Sequence, residues 1–184
     1  NRAVTSKSGS ADVLEALGIA TNLKPEDAAE SLRALDFAFF FAPLYHPAFK
    51  HIAPARKLCA SRGQRTIFNF LGPLLNPAQP TAQLIGVPLA SLCDPIAQVL
   101  QSLGIRRGMV VSGRFGESSI DELSTLGENT VAEFYHDKGF SSSVLSPEHF
   151  GFSEAQPSDL EGGDCQRNAT IIRSILDGSE RGPK

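Results

Sequence analysis

The sequence predicts an α/β protein built on a mixed, largely parallel sheet flanked by helices, and three observations carry that reading. Two short apolar runs, "QLIGV" (83–87) and "GMVVSG" (108–113), bracket an amphipathic helical stretch, and strand, helix, strand is the order of a parallel pair. Helical text with apolar residues at i, i+3 and i+4 recurs before and after this unit. Two later runs, "NTVAEFY" and "FSSSVLS", joined at "HDKG", have the spacing of an antiparallel hairpin at the sheet's edge.

Each element has its own justification. Ser10 reads as an N-cap, with Asp12 in the first turn and Val13, Leu14 and Leu17 making an apolar edge before Gly18. A second helix has Pro25 near its start and Glu26 and Asp27 at the positive end of its dipole, and Ala28, Leu32 and Leu35 share a face. The run "FAFFFA" (37–42) predicts a strand buried on both sides. A long helical stretch is expected around 47–62, interrupted by Pro54, and "TIFNFLGPLLNPA" after it is rich in turn residues. Ser91 with Asp94 resembles a capping box for a helix whose inner face is Ile96, Val99, Leu100 and Leu103. A last helix runs from about Asp164 to Leu176, with Ile171, Ile172, Ile175 and Leu176 turned inward.

The composition narrows the function classes. At 184 residues, 41% apolar and 20% charged, the chain has the makeup of an ordinary globular protein, and one domain over 1–184 is the expectation. No apolar run approaches the roughly 20 residues of a membrane span, so no membrane partner and a cytoplasmic setting are expected. The net charge is −3 with both signs interleaved, which speaks against a nucleic-acid partner and makes any anion site local. Cys59, Cys93 and Cys165 lack metal-ligand or disulfide spacing and read as reduced structural thiols. Neither a nucleophile elbow nor a phosphate-binding lysine loop is present.

Three stretches carry residues fit for chemistry. After the "MVV" strand, "GRFGESSIDELS" delivers Asp121 and Glu122 towards the carboxyl end of a sheet, where ligands gather in open α/β folds. Paired carboxylates on a loop suit Mg²⁺, a hard cation that takes phosphate oxygens as further ligands; a solvated acidic turn is the competing reading. "KSGS" supplies the charge of Lys7, the small Gly9 and the hydroxyls of Ser8 and Ser10 at a helix start, the chemistry of a phosphate cradle or simply of a helix cap. Together the two loops point to a Mg²⁺-bound phosphorylated ligand. Arg56, ten residues after His46, is placed on a helix that suits a two-bond grip on a carboxylate, or else lies over apolar neighbours at the surface.

Taken in order, "NRAVTSKSGSADVLEALG", "FAPLYHPAFKHIAPAR", "RTIFNFLGPLLNPA", "IDELS" and "GGDCQRNATIIRSILDG" resemble anthranilate phosphoribosyltransferase of tryptophan biosynthesis over nearly the whole chain. The resemblance implies the α/β domain that this family shares with nucleoside phosphorylases. It also implies Mg²⁺-dependent transfer of phosphoribose from phosphoribosyl pyrophosphate to the amine of anthranilate, with no catalytic nucleophile. By the same resemblance Asn1, Ala42, Pro43, His46, Phe49, Arg56 and Gly72 serve anthranilate. Lys7, Ser8, Gly9 and Ser10 serve phosphoribosyl pyrophosphate, and Asp121 and Glu122 hold the metal. The family's Lys-His-Gly run and Gly-Thr-Gly-Gly-Asp loop are absent before Asn1, and family members continue past "RGPK". The expectation is therefore a single phosphoribosyltransferase domain incomplete at both ends, inactive alone, from a homodimeric parent. A pyrimidine nucleoside phosphorylase and a non-catalytic, nucleic-acid-binding paralogue are the alternatives.

Overall fold

The computed structural model describes residues 8–64, 66–136 and 138–182, and the chain divides into two compact units, 1–71 with 161–182 and 72–160. Asn1 and Lys7 lie outside the described residues. The first unit is helical: α1 (Ser10–Ala16), α2 (Pro25–Leu35), α3 (Ala42–Tyr45), α4 (Phe49–Ser61) and α7 (Cys165–Leu176), with α5 (Phe68–Leu74) crossing into the second unit. The second unit holds a five-stranded sheet of β1 (Ala82–Gly86), β2 (Arg107–Phe115), β3 (Ser118–Ile120), β4 (Asn129–Tyr135) and β5 (Gly139–Leu145), with α6 (Cys93–Ser102) between β1 and β2. The mixed α/β class is as the sequence predicts, but among the described strands one pairing is parallel and three are antiparallel, so the sheet is not largely parallel.

The strands run in the order β1, β2, β4, β5, with β3 paired to β2. β1 and β2 are parallel, joined through α6, while β2 with β3, β2 with β4, and β4 with β5 are antiparallel. The hairpin of β4 and β5 is the expected one, in register from Asn129↔Leu145 to Tyr135↔Gly139. Apolar spacing explains the packing. Cys93, Ala97 and Leu100 repeat along one side of α6 and are fully buried against Ile85, Val87, Val110, Ala132 and Phe134. Gly108 is the register partner of Phe134, and a Cβ there would come 2.3 Å from the ring, so the missing side chain makes room for the largest core residue.

Several expectations are corrected. Residues 37–41 form no strand: Phe37 is 48% exposed, and its carbonyl accepts from Ser31 Oγ rather than from a neighbouring strand. An apolar run supplies the side chains of a strand but not the ladder partner that makes one. The stretch 68–74, expected as turns, is helical in spite of Pro73, and α4 continues through Pro54, which lacks the N–H for one intrahelical bond. The Ser91 capping box is replaced by a 3₁₀ turn, Ala90–Leu92, and the helix begins at Cys93. The cap of α1 is Gly9, not Ser10, and its N–H donates to the Asp12 carboxylate at 3.1 Å. On α7, Ala169 is the fully buried residue, whereas Leu176 is 81% exposed.

Cys59, Cys93 and Cys165 are free thiols, as expected. Burial, with the Asp94 carboxylate adding to it, pushes the Cys93 thiol up to about 11. Its neutral form is therefore favoured in the folded chain, so the stability it lends is complete below the ordinary thiol range and is lost as pH climbs towards 11. At pH 8 a thiol reagent followed by peptide mass spectrometry is expected to modify the half-buried Cys59 and Cys165 well before Cys93. Labelling of Cys93 at the same rate in the folded protein would contradict its placement.

Candidate active site

The carboxylate loop is built from the sheet outward. β3 turns back from β2 after Gly116, whose φ of 55° suits glycine, and Asp121 and Glu122 follow as exposed residues. Two strand glycines decide where they lie. A Cβ on Gly86, the last residue of β1, would sit 1.6 Å from the backbone oxygen of Asp121, and one on Gly113 of β2 would sit 2.6 Å from that of Glu122. The backbone of both acidic residues thus rests directly on the sheet, on the face opposite α6. Val111, the register partner of Gly86, and Val131 stand on that same face, each 2% exposed.

The loop is also tied down from behind. Asn129, at the start of β4 and 3% exposed, accepts from the Ser124 N–H at 2.7 Å and donates to the Ser124 and Gly127 carbonyls at 2.9 and 3.1 Å. Side chain amides that mimic a strand in this way fix a loop that has no ladder of its own. Two adjacent exposed carboxylates fit Mg²⁺, which accepts one or two of them and leaves its other positions to water and phosphate. Among the described residues no cluster of three or more His, Cys, Asp and Glu is placed to hold a metal.

The helical unit positions the other candidates. Ser8 precedes α1, and Asn168 of α7 donates to its Oγ at 2.7 Å and to the Gly163 carbonyl at 3.2 Å, while the Gly163 N–H donates to Asn168 Oδ1 at 2.7 Å. A Cβ on Gly162 would meet Asn168 Oδ1 at 2.7 Å, so this glycine pair lets the start of α7 close on the Ser8 loop. Ser8 is thereby fixed by the most distant part of the sequence. Beside it Asp12, Glu15, Ala16, Cys165 and Gln166 line a cavity of about 500 Å³. Gly9 and Ser10 form the cap and first residue of α1.

Further along, Ala42 and Pro43 begin α3 and are exposed, and His46 follows it as the half-buried C-cap. His46 and Phe49 meet edge to face at 5.8 Å, and Phe49 meets Phe68 the same way at 6.0 Å. Phe49, Ala53, Arg56 and Ala60 fall on one stripe of α4. Ala53, Arg56 and Ala60, with Lys57, Gln64 and Thr66, line a cavity of about 300 Å³. The exposed Arg56 and the His46–Phe49 pair belong to one helix and its entry. Gly72, exposed on α5, would admit a Cβ with nothing within 4 Å.

Asn129, Asn168, Gly86 and Gly113 were missed by sequence reasoning. The available signals were the "GG" before Asp164 and a glycine at or near the end of two strands, and neither names its distant partner.

The second unit, a mixed sheet with α6 on one face and the Asp121–Glu122 loop on the other, is an α/β arrangement. The chain belongs to the glycosyl transferase family, a/b domain, which it matches over residues 1–184. It is 48% identical to anthranilate phosphoribosyltransferase of Brevibacillus brevis over 97% of this chain and 50% of the relative. A solved anthranilate phosphoribosyltransferase from Thermus thermophilus matches all of this chain and 52% of its own, with a TM-score of 0.84 and 45% identity. The Saccharomyces cerevisiae enzyme in complex with PRPP and Mg matches at TM-score 0.79 and 27% identity, covering 98% of this chain and 48% of its own. Solved with 4-fluoroanthranilate, that enzyme matches at TM-score 0.78 and 26% identity, covering 94% and 48%. The chain spans about half the length of the curated relatives it matches.

Replacing Gly86 by Ala is expected to displace the Asp121 backbone and lower the urea midpoint by the equivalent of about 1–3 kcal/mol, the cost of overpacking. Gly72→Ala, with open space around it, should leave the midpoint unchanged or raise it. Equal midpoints for Gly86→Ala and the unsubstituted chain would show that the loop does not rest on β1.

Proposed function

We propose that the protein carrying this chain transfers the phosphoribosyl group of phosphoribosyl pyrophosphate to the amine of anthranilate, giving N-(5-phosphoribosyl)anthranilate and pyrophosphate, in tryptophan biosynthesis. The observation that carries the proposal is the seating of Asp121 and Glu122 on Gly86 and Gly113 at the carboxyl ends of two parallel strands, where open α/β sheets bind their ligands. Relatives with this name, 45–48% identical over the chain, support it and do not favour the nucleoside phosphorylase or nucleic-acid readings.

Breaking the ribose C1 bond to pyrophosphate builds positive character on the sugar and negative charge on the leaving group, so the demand is for positioning and charge neutralisation. When bound, Mg²⁺ supplies that neutralisation at the pyrophosphate oxygens. Asp121 and Glu122 would hold it. Lys7, Ser8, Gly9 and Ser10 bind the phosphorylated ligand, with Ser8 oriented by Asn168. Arg56 grips the anthranilate carboxylate, and Ala42, Pro43, His46, Phe49, Gly72 and Asn1 line the path of its ring. The aromatic amine is nucleophilic as the free base, and no protein nucleophile is needed. The described helices include none long and apolar enough to cross a membrane. We place the protein in the cytoplasm as a homodimer, with residues 1–184 in one phosphoribosyltransferase domain.

The test follows anthranilate fluorescence in the whole protein with phosphoribosyl pyrophosphate and Mg²⁺. Loss of fluorescence that a chelator stops is the expected result, and a flat trace from folded protein overturns the proposal. In the same assay Arg56→Ala is expected to weaken anthranilate use about ten- to a hundred-fold, the loss of a charged hydrogen bond of about 1.5–3 kcal/mol. An unchanged KM and kcat would remove Arg56 from the site. Asp121→Asn with Glu122→Gln should abolish most activity together with its Mg²⁺ dependence, and a normal Mg²⁺ response in that variant would return the loop to a solvated turn.

A further inference from the structure

Asp121 and Glu122 are exposed and lie in a segment, 121–128, with neither helix nor strand, yet a metal site made of two carboxylates needs them held in place. Besides the seat that Gly86 gives Asp121, the hold comes from one cross-strand pair. Gly113 and Asn129 face each other in the β2–β4 register. Gly113 receives the Glu122 carbonyl in the space its missing side chain leaves, while Asn129 takes up both backbone groups of Ser124, two residues further on. Asn129 also donates to the Gly127 carbonyl at 3.1 Å and the Leu145 carbonyl at 3.4 Å. Its amide orientation follows from its partners: the Ser124 N–H can only meet oxygen, and the carbonyls can only meet nitrogen. At 3% exposure these bonds form away from water, where a lost partner leaves a buried polar group unsatisfied.

We infer that Asn129 is a positioning residue for divalent-metal binding, acting through the Ser124 backbone to preorganise the Asp121 and Glu122 carboxylates. The inference rests on the metal role proposed for those two residues. It explains why a polar side chain occupies a strand position buried as deeply as its valine neighbour Val131. Metal sites generally lose about ten- to a hundred-fold in affinity when the residues that orient their ligands are changed. Asn129→Asp is the sharpest probe: it keeps the oxygen that accepts from Ser124, but turns a second oxygen towards three carbonyls.

The experiment uses Mn²⁺ alone as a paramagnetic probe of the isotope-labelled chain, reading broadening of backbone amide resonances during a titration. In the unsubstituted chain broadening centres on 121–124. Asn129→Asp and Asn129→Ala are expected to weaken Mn²⁺ binding about tenfold or more while the β1 and β2 resonances keep their positions. Equal affinity in a folded Asn129 variant overturns the inference and leaves Asn129 a structural residue. Absence of broadening at 121–124 in the unsubstituted chain removes the metal role itself, and this inference with it. If both substitutions unfold the sheet, hydrogen exchange of the unsubstituted chain decides: a protected Ser124 amide supports the clamp, and exchange at the rate of an open loop amide overturns it.

Discussion

Contact between the Asp121 carbonyl and the bare backbone of Gly86 is the constraint on which the rest of the site depends. A side chain of any size at that position would occupy the space of the carbonyl. The carboxylate loop would then rise from the sheet, and the Val111–Val131 face beneath it would open to water. Gly113 repeats the arrangement one strand away for Glu122. Both glycines lack the packing that strands ordinarily draw from their side chains, and in exchange the sheet brings loop backbone into contact with itself. The rigidity of β1 and β2, set by α6 and the Val110–Ala132–Phe134 core, is thereby passed to two residues that are themselves exposed.

A similar device works in the helical unit with side chains instead of glycines. Asn168 reaches from α7 to Ser8 and Gly163, and Arg173 from the same helix donates to the Ala16 carbonyl at the end of α1. Ser8 is therefore anchored by a residue 160 positions later. Asp12 and Glu15 place negative charge on one side of this loop. Negative charge there disfavours a phosphorylated ligand unless a cation accompanies it.

Much of this was legible in the sequence, for identifiable reasons. The order and type of β1, α6 and β2 and the β4–β5 hairpin were read correctly because local periodicity and turn residues specify them, but the inner face of α6 was misread: Val99 and Leu103 are exposed, and Cys93 and Ala97 lie beside Leu100 in the core. The polar stretches at Ser8–Ser10 and after β3 were visible as loops because Gly, Ser and acidic residues cluster at the ends of elements. Residues 37–41 misled because an apolar run cannot announce whether a partner strand lies beside it. The Ser10 and Ser91 caps misled because the choice between neighbouring capping residues turns on backbone geometry, here the Gly9–Asp12 bond and a 3₁₀ turn. Asn129 and Asn168 were invisible for a different reason: each acts across the fold on backbone groups, and no spacing in the sequence records such a pair.

The most direct test of the account is a crystal structure of the whole protein with phosphoribosyl pyrophosphate and Mn²⁺, located by its anomalous scattering. The account predicts a manganese ion coordinated by the Asp121 and Glu122 carboxylates, with their backbone still seated on Gly86 and Gly113. An ion bound elsewhere, with both carboxylates turned to solvent, would contradict it.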